Sequence, residues 1–276
     1  MAAISAADVA KLRKMTGAGM MDCKKALQEA EGNFDKAVEL IRKKGQAVAN
    51  KRADREAGEG VVLAKTTEDN SFGALIVLNC ETDFVAKNAD FESFAATILE
   101  IALEKKPGTL EELKQLELDG AKIEEKVVEQ IGIIGEKLEL SYYEFINADH
   151  VHAYIHPGNK LATLAGFNKQ GIDEQVYKDV AMQIAAMNPV AVDKDDVSQE
   201  NIDREIEIGK DQARREGKPD NLLEKIAMGK LGKFFKENTL LNQDFVKDNK
   251  QTIKQYLKST DSELTVTDFK RYTLNT

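Results

Sequence analysis

Ala74-Leu75-Ile76-Val77-Leu78-Asn79-Cys80-Glu81-Thr82-Asp83-Phe84-Val85-Ala86-Lys87-Asn88 leaves a strongly apolar strand, crosses a polar segment and leads to a helix predicted to start near Phe91. Aromatic residues make up only 6% of the chain and Trp is absent, so a Phe beside a carboxylate in a connection stands out. Segments that act on a partner tend to lie on connections held by a rigid scaffold. Two readings remain open at Thr82-Asp83-Phe84. In one, Thr82 caps a helix, Asp83 favours its dipole and Phe84 packs inward. In the other, Phe84 is an apolar wedge carried beside an anion.

Outward from this stretch lies a weak internal duplication. Val61-Val62-Leu63-Ala64 is predicted to pair, through a polar turn at Thr67 to Ser71, with Phe72 to Leu78. The following helix carries Phe91, Phe94, Ile98, Ile101 and Ala102 and closes at Pro107-Gly108. Val151 to Ile155 then pairs through Pro157-Gly158 with Lys160 to Phe167, and its helix carries Val176, Val180, Ile184 and Ala185. A short turn suffices for an antiparallel pair, and each hairpin needs its helix to cover an apolar face. The fold class is therefore α+β, with two related strand-hairpin/helix subdomains at 61–141 and 142–276 and antiparallel sheets. Tyr142, Tyr143 and Phe145 open the second as core aromatics. Aligned by eye, the first copy holds six extra residues, placed in Glu81 to Asn88, so this loop reads as an addition to the scaffold.

Residues 1–50 read as three short helices. Ser5 caps the first, which carries Val9 and Leu12; Asp22 caps the second; Asn33 caps a third that bears Phe34, Ala37, Val38 and Ile41 and stops at Gly45. Residues 51–60, charged and ending in glycines, read as a linker. Within 197–235, Ile202, Ile206, Gly209 and Ala213 form a narrow apolar stripe on one helix, and Leu222, Ile226 and Gly229 on the next. This is a protruding helical hairpin with little core of its own.

Composition excludes several classes. With 276 residues, 42% hydrophobic and 32% charged, the chain is an ordinary globular protein large enough for about two domains. Its N-terminus lacks a basic n-region and an apolar h-region, and no apolar run approaches the ~18 residues of a membrane span. Cys23 and Cys80 have no metal-type spacing, so reduced thiols in a cytoplasmic protein are expected. Residues 1–55 carry twelve Lys/Arg against seven Asp/Glu, and the rest 27 against 41. Nucleic-acid binding by the acidic body is disfavoured; the basic N-terminus solvates helix surfaces or, as the alternative function, serves a ribosome- or RNA-associated adaptor.

Catalytic constellations are poorly supported: no phosphate loop, nucleophile elbow or zinc motif occurs. His150 and His152 share a strand face, which in principle ligates a metal, but no Cys and no second cluster completes the set. They are expected to be exposed strand histidines, with His156 at the surface before the Pro157-Gly158 turn. No metal, no cofactor and no enzymatic chemistry is expected.

Two long stretches, Leu12-Arg13-Lys14-Met15-Thr16-Gly17-Ala18-Gly19-Met20-Met21-Asp22-Cys23-Lys24-Lys25-Ala26-Leu27 and Asn79 to Asn88, resemble the two signatures of bacterial translation elongation factor Ts, in matching order and separation. The resemblance covers nearly the whole length. It implies guanine nucleotide exchange on elongation factor Tu, in its GDP-bound and nucleotide-free forms, with no direct nucleic-acid or membrane contact. It further implies that the N-terminal bundle, similar to a ubiquitin-associated (UBA-like) fold, meets the G domain of that GTPase through Leu12, Arg13, Thr16, Gly17, Ala18, Gly19, Met20 and Met21. Thr82, Asp83, Phe84 and Val85 would face its Mg²⁺ and switch region, with Phe84 wedged between helices, and His156 its phosphate loop. The hairpin at 197–235 matches a coiled-coil module that contacts the GTPase elsewhere or supports a homodimer. Two departures stand out. Some relatives continue into a further helix beyond the position of Thr276, so the contact made there is expected to be missing. His156 is followed by Pro157-Gly158 where the family carries small residues.

Overall fold

The computed structural model describes residues 4–274; the first three and last two residues, inside the expected 1–50 and 142–276 domains, lie outside the described residues. Three helices come first: α1 (Ala6–Thr16), α2 (Met20–Glu29) and α3 (Phe34–Arg52). Ser5 caps α1 through a capping box with Asp8, and Gly17 ends it in the left-handed region at φ 69°. Asn33 caps α3 by accepting from the Lys36 N–H. Their shared core is Val9, Leu12, Ala18, Cys23, Ala26, Leu27, Ala30 and Ala37, with Phe34, Val38 and Ile41 packed against it.

Two boundaries differ from expectation. Helix α2 starts at Met20 behind Gly19, without a side-chain cap, so Asp22 lies inside the first turn, where its charge still suits the dipole. Helix α3 does not stop at Gly45 but continues to Arg52. The reason is contact: Gly45 faces Gly132, and a Cβ on Gly132 would lie 2.6 Å from the Gly45 Cα. This glycine serves a close helix crossing, not a helix end.

Next come β1 (Glu59–Thr66), β2 (Phe72–Cys80), the single turn α4 (Asp83–Ala86), α5 (Ala89–Lys105) and α6 (Leu110–Gln115). A small ribbon, β3 (Glu117–Leu118) with β4 (Ala121–Lys122), leads into α7 (Ile123–Ile134) and β5 (Glu139–Asn147). The sheet order is β1-β2-β5. Tyr142, Tyr143 and Phe145 thus belong to the third strand of the first sheet.

The second hairpin is β6 (His150–Ile155) with β7 (Leu161–Phe167), followed by α8 (Glu174–Met187). Helices α9 (Gln199–Arg215) and α10 (Asp220–Asn238) form the expected helical hairpin; β8 (Asp244–Phe245), β9 (Asp248–Thr252), α11 (Ile253–Thr260) and β10 (Val266–Thr273) complete the chain. Strand β10 pairs antiparallel with β7, giving the order β10-β7-β6. Each hairpin therefore gains a later strand beside its second member, which strengthens the duplication.

The connections differ less than expected. Residues 81–88 join β2 to α5 and 168–173 join β7 to α8, eight residues against six, while α5 has 17 residues and α8 has 14. The extra length is shared between connection and helix; what the first connection alone contains is the turn α4.

By density of contacts the chain forms two units: one of the residues up to Leu63 with Ile76–Glu144, the other of Ala64–Leu75 with Phe145–Thr273. The core of the second unit joins Phe167, Tyr177, Val180 and Ile184 with Leu240, Phe245, Ile253 and Leu257. In its helical hairpin Gly209 approaches the Ala227 Cα, which a Cβ would meet at 3.1 Å. The buried face of α10 is Leu223, Ala227 and Leu231, one position beyond the expected Leu222 and Ile226. Leu222 is 41% exposed.

Candidate functional site

The connection after β2 is held at its base by two adjacent residues. The backbone N–H of Lys137 donates to Glu81 Oε1 at 2.6 Å, and Arg52 Nη1 reaches both Glu81 oxygens at 2.8 Å. The Lys137 N–H foremost, and then Arg52, hold this carboxyl below the usual glutamate range against the opposing effect of burial. Thr82 donates its N–H to Glu136 Oε2 at 3.1 Å and its hydroxyl to Oε1 at 2.7 Å. With its hydroxyl engaged there, Thr82 stands at the N-cap position of α4 without making a side-chain cap. Upstream, Asn79 is buried, donates to the Glu59 carbonyl at 3.2 Å and accepts from Ser141 Oγ at 2.5 Å.

Above this base, Asp83 and Phe84 diverge. Asp83 is half-buried and pairs with Lys87, one turn on, at 2.6 Å. Phe84 is 83% exposed, the most exposed of the large hydrophobic side chains among the described residues. The inward-packing reading of Phe84 is thereby overturned. Ala86 is the buried residue of the turn, and Val85 is half-buried. A rigid turn thus presents one aromatic ring to water with a carboxylate beside it. Cys80 is fully buried; burial first, then the nearby Glu136 carboxylate, pushes its thiol up to about 12, so it is no nucleophile.

Among the N-terminal residues singled out by sequence, Leu12 and Ala18 are core. Thr16 is half-buried and its hydroxyl donates to the Leu12 carbonyl at 2.9 Å. Arg13, Gly17 and Gly19 are exposed, as are Met20 at 44% and Met21 at 64%. Met15, not singled out, adds a third exposed thioether at 56%.

His156 is exposed at the β6–β7 turn, where its Nδ1 lies 3.0 Å from the Tyr154 hydroxyl and its N–H donates to the Leu161 carbonyl at 2.8 Å. The other two histidines are not the exposed strand residues expected. His150 is 6% exposed and stacks on Tyr177, because α8 covers that strand face. His152 is half-buried and meets Glu174 at 2.9 Å. Burial holds both imidazoles below their usual range, opposed by the Glu174 charge. Among the described residues, His150, His152 and Glu174 form the group placed to hold a metal ion, and Glu174 could not be singled out by spacing along the chain. No helix among the described residues is long and apolar enough to cross a membrane.

Comparison with known proteins agrees with the resemblance. A sequence model of the family described as Elongation factor TS matches residues 81–276. Elongation factor Ts of Porphyromonas gingivalis is 56% identical over 274 residues, covering 99% of each chain. That of Christiangramia forsetii is 54% identical over 99% of this chain and 100% of its own, and that of Cytophaga hutchinsonii 49% identical over the whole of both. The chain belongs to the elongation factor Ts family.

Proposed function

We propose that the chain is a guanine nucleotide exchange factor for elongation factor Tu in translation elongation, accelerating GDP release so that GTP can rebind. The observation that carries this reading is Phe84, an aromatic ring left in water on a turn whose base is fixed by Thr82–Glu136 and Glu81–Arg52. A ring held this way is pre-organised to enter a partner at small entropic cost. Family membership supports elongation factor Tu as the partner.

The mechanism needs no covalent step, cofactor or bound metal. A factor that weakens GDP binding must itself bind the GDP form more weakly by the same ratio. GDP is held largely through its phosphates and Mg²⁺, so those contacts are the effective ones to disturb. In this reading Phe84 wedges between helices near the switch region, with Thr82 and Val85 completing the contact. The Asp83 carboxylate, freed from Lys87, competes for the Mg²⁺ shell or its hydrogen-bond donors. His156 approaches the phosphate loop. Arg13, Met20 and Met21 supply the G-domain contact, while Leu12 and Ala18 support it from the core. The α9–α10 hairpin provides a further contact or a homodimer face, with Leu222 and Met228 exposed on it.

The test is stopped-flow release of a fluorescent GDP from purified elongation factor Tu. Asp83→Ala combined with Phe84→Ala is expected to slow stimulated release by about tenfold or more, within the usual span of coupling energies, while folding stays intact. Unchanged release would overturn the reading.

A further inference from the structure

Strand β6 and helix α8 bring together three side chains that the exchange reaction does not use. His150 and His152 stand two residues apart and so project from one face of the strand. Glu174 opens α8, and His152 Nδ1 lies 2.9 Å from its Oε1. His150 is brought to the same place by Tyr177: the rings stack with centroids 3.7 Å apart and planes at 14°, and Tyr177 follows Glu174 by three residues on the same helix face. One ligand atom from each of the three lies within 4.8 Å of the others.

A second observation concerns His150 alone. The residue is 94% buried, and its Nε2 is buried with no hydrogen-bond partner, alone among the buried side-chain nitrogen and oxygen atoms of the described residues. Leaving such an atom unpaired costs folding free energy, so a buried imidazole nitrogen left in this state calls for a partner of its own.

We propose that His150, His152 and Glu174 form a zinc(II) site that ties the β6–β7 hairpin to helix α8, with a fourth position open to water or an external donor. Two imidazoles and one carboxylate are a donor set that borderline-soft Zn²⁺ accepts in tetrahedral geometry with one open position. Ca²⁺ and Mg²⁺ need more oxygen ligands than the single carboxylate offers. Bond lengths of about 2.0–2.2 Å place tetrahedral ligand atoms roughly 3.4 Å apart. His152 and Glu174 already stand closer than this at 2.9 Å, so the spread that binding would draw in, at most 4.8 Å, involves His150. Lys178, the cation nearest His152 on α8, opposes binding but is outweighed by direct coordination. Bound zinc stabilises the folded chain by mass action, since the unfolded chain lacks the site.

The experiment uses the full-length, tag-free chain, stripped with a chelator and titrated with zinc sulfate against a competing zinc-chelating dye. One equivalent is expected to bind, with a rise in Tm, and Co²⁺ in place of zinc is expected to give the visible absorption of a four-coordinate ion. Glu174→Ala alters an exposed side chain and tests the site without touching the core; His152→Ala is its companion. Removing a direct ligand should weaken binding by more than the roughly 10- to 100-fold seen for outer-shell partners. Failure to bind one equivalent, or equal affinity in Glu174→Ala and the parent chain, would overturn the proposal.

Discussion

Thr82 and Glu136 are joined twice: the threonine N–H and hydroxyl both donate to the one carboxylate, at 3.1 and 2.7 Å. This pairing fixes the entry to α4 and so the direction in which Phe84 leaves the scaffold. Glu136→Ala would leave a half-buried N–H and hydroxyl without their acceptor. We expect a loss of about 1–2 kcal/mol of stability and faster hydrogen exchange at the Thr82 amide. An unchanged exchange rate there would show that the pair does not fix the turn.

Glu81 gives this anchoring a pH dependence. Its carboxyl is held low chiefly by the Lys137 N–H, so it stays ionised in the folded chain to lower pH than in the unfolded one, which titrates near about 4.3. The stabilisation is fully present above that unfolded value and is lost as pH falls through the folded value. The stability gap between the parent chain and Glu81→Gln, measured by urea unfolding, should be constant from neutral pH to about pH 5 and shrink below about pH 4. A gap that widens on acidification would contradict the assignment.

Much of this architecture was legible in the chain, and the failures share a cause. Ser5 and Asn33 declare their helices because a cap is a local event, read from four residues. Gly45 reads as a stop because the glycine that explains it, Gly132, is 87 residues away. His150 reads as exposed because the ring that covers it, Tyr177, belongs to another element. The apolar pattern of β5 shows a strand, but not that it joins β2. At the candidate site, Asp83 and Phe84 stood out by residue type alone, whereas Glu136 and Arg52, which orient them, carry no signal near the loop.

Cys80 should be inert in the folded chain. With its thiol pushed up to about 12, only about one molecule in ten thousand is thiolate at pH 8. Iodoacetamide labelling at pH 8, read by peptide mass, is expected to modify Cys80 only after denaturation. Rapid native labelling would mean that the β2 end opens readily.

The Gly45–Gly132 crossing makes a steric prediction. A methyl on Gly132 would meet backbone at 2.6 Å, and backbone cannot rotate away as a side chain would. Ala is nevertheless the better helix former by roughly 1 kcal/mol, so the two effects oppose each other. At this separation the clash wins, and Gly132→Ala should destabilise by about 1–3 kcal/mol, in the range of overpacked cores. Gly229→Ala, on α10 with open space around it, should instead be neutral or stabilising. Thermal unfolding of the two variants separates these outcomes by sign, and stabilisation by Gly132→Ala would show that the helices part more easily than their contact suggests.

Phe84 and Phe91 lie seven residues apart and divide the two duties of an aromatic ring. Phe91 is 2% exposed in the core face of α5, Phe84 is 83% exposed on α4. Phe91→Ala should cost about 3–5 kcal/mol through lost burial and the cavity left behind. Phe84→Ala removes a ring that gains little from folding, so its stability should lie within about 0.5 kcal/mol of the parent. In GDP release from elongation factor Tu the order is expected to reverse: Phe84→Ala should lose most of the stimulation, while Phe91→Ala, assayed below its own Tm, should keep it. If Phe84→Ala instead lowered Tm as much as Phe91→Ala, the ring would belong to the fold and not to the partner.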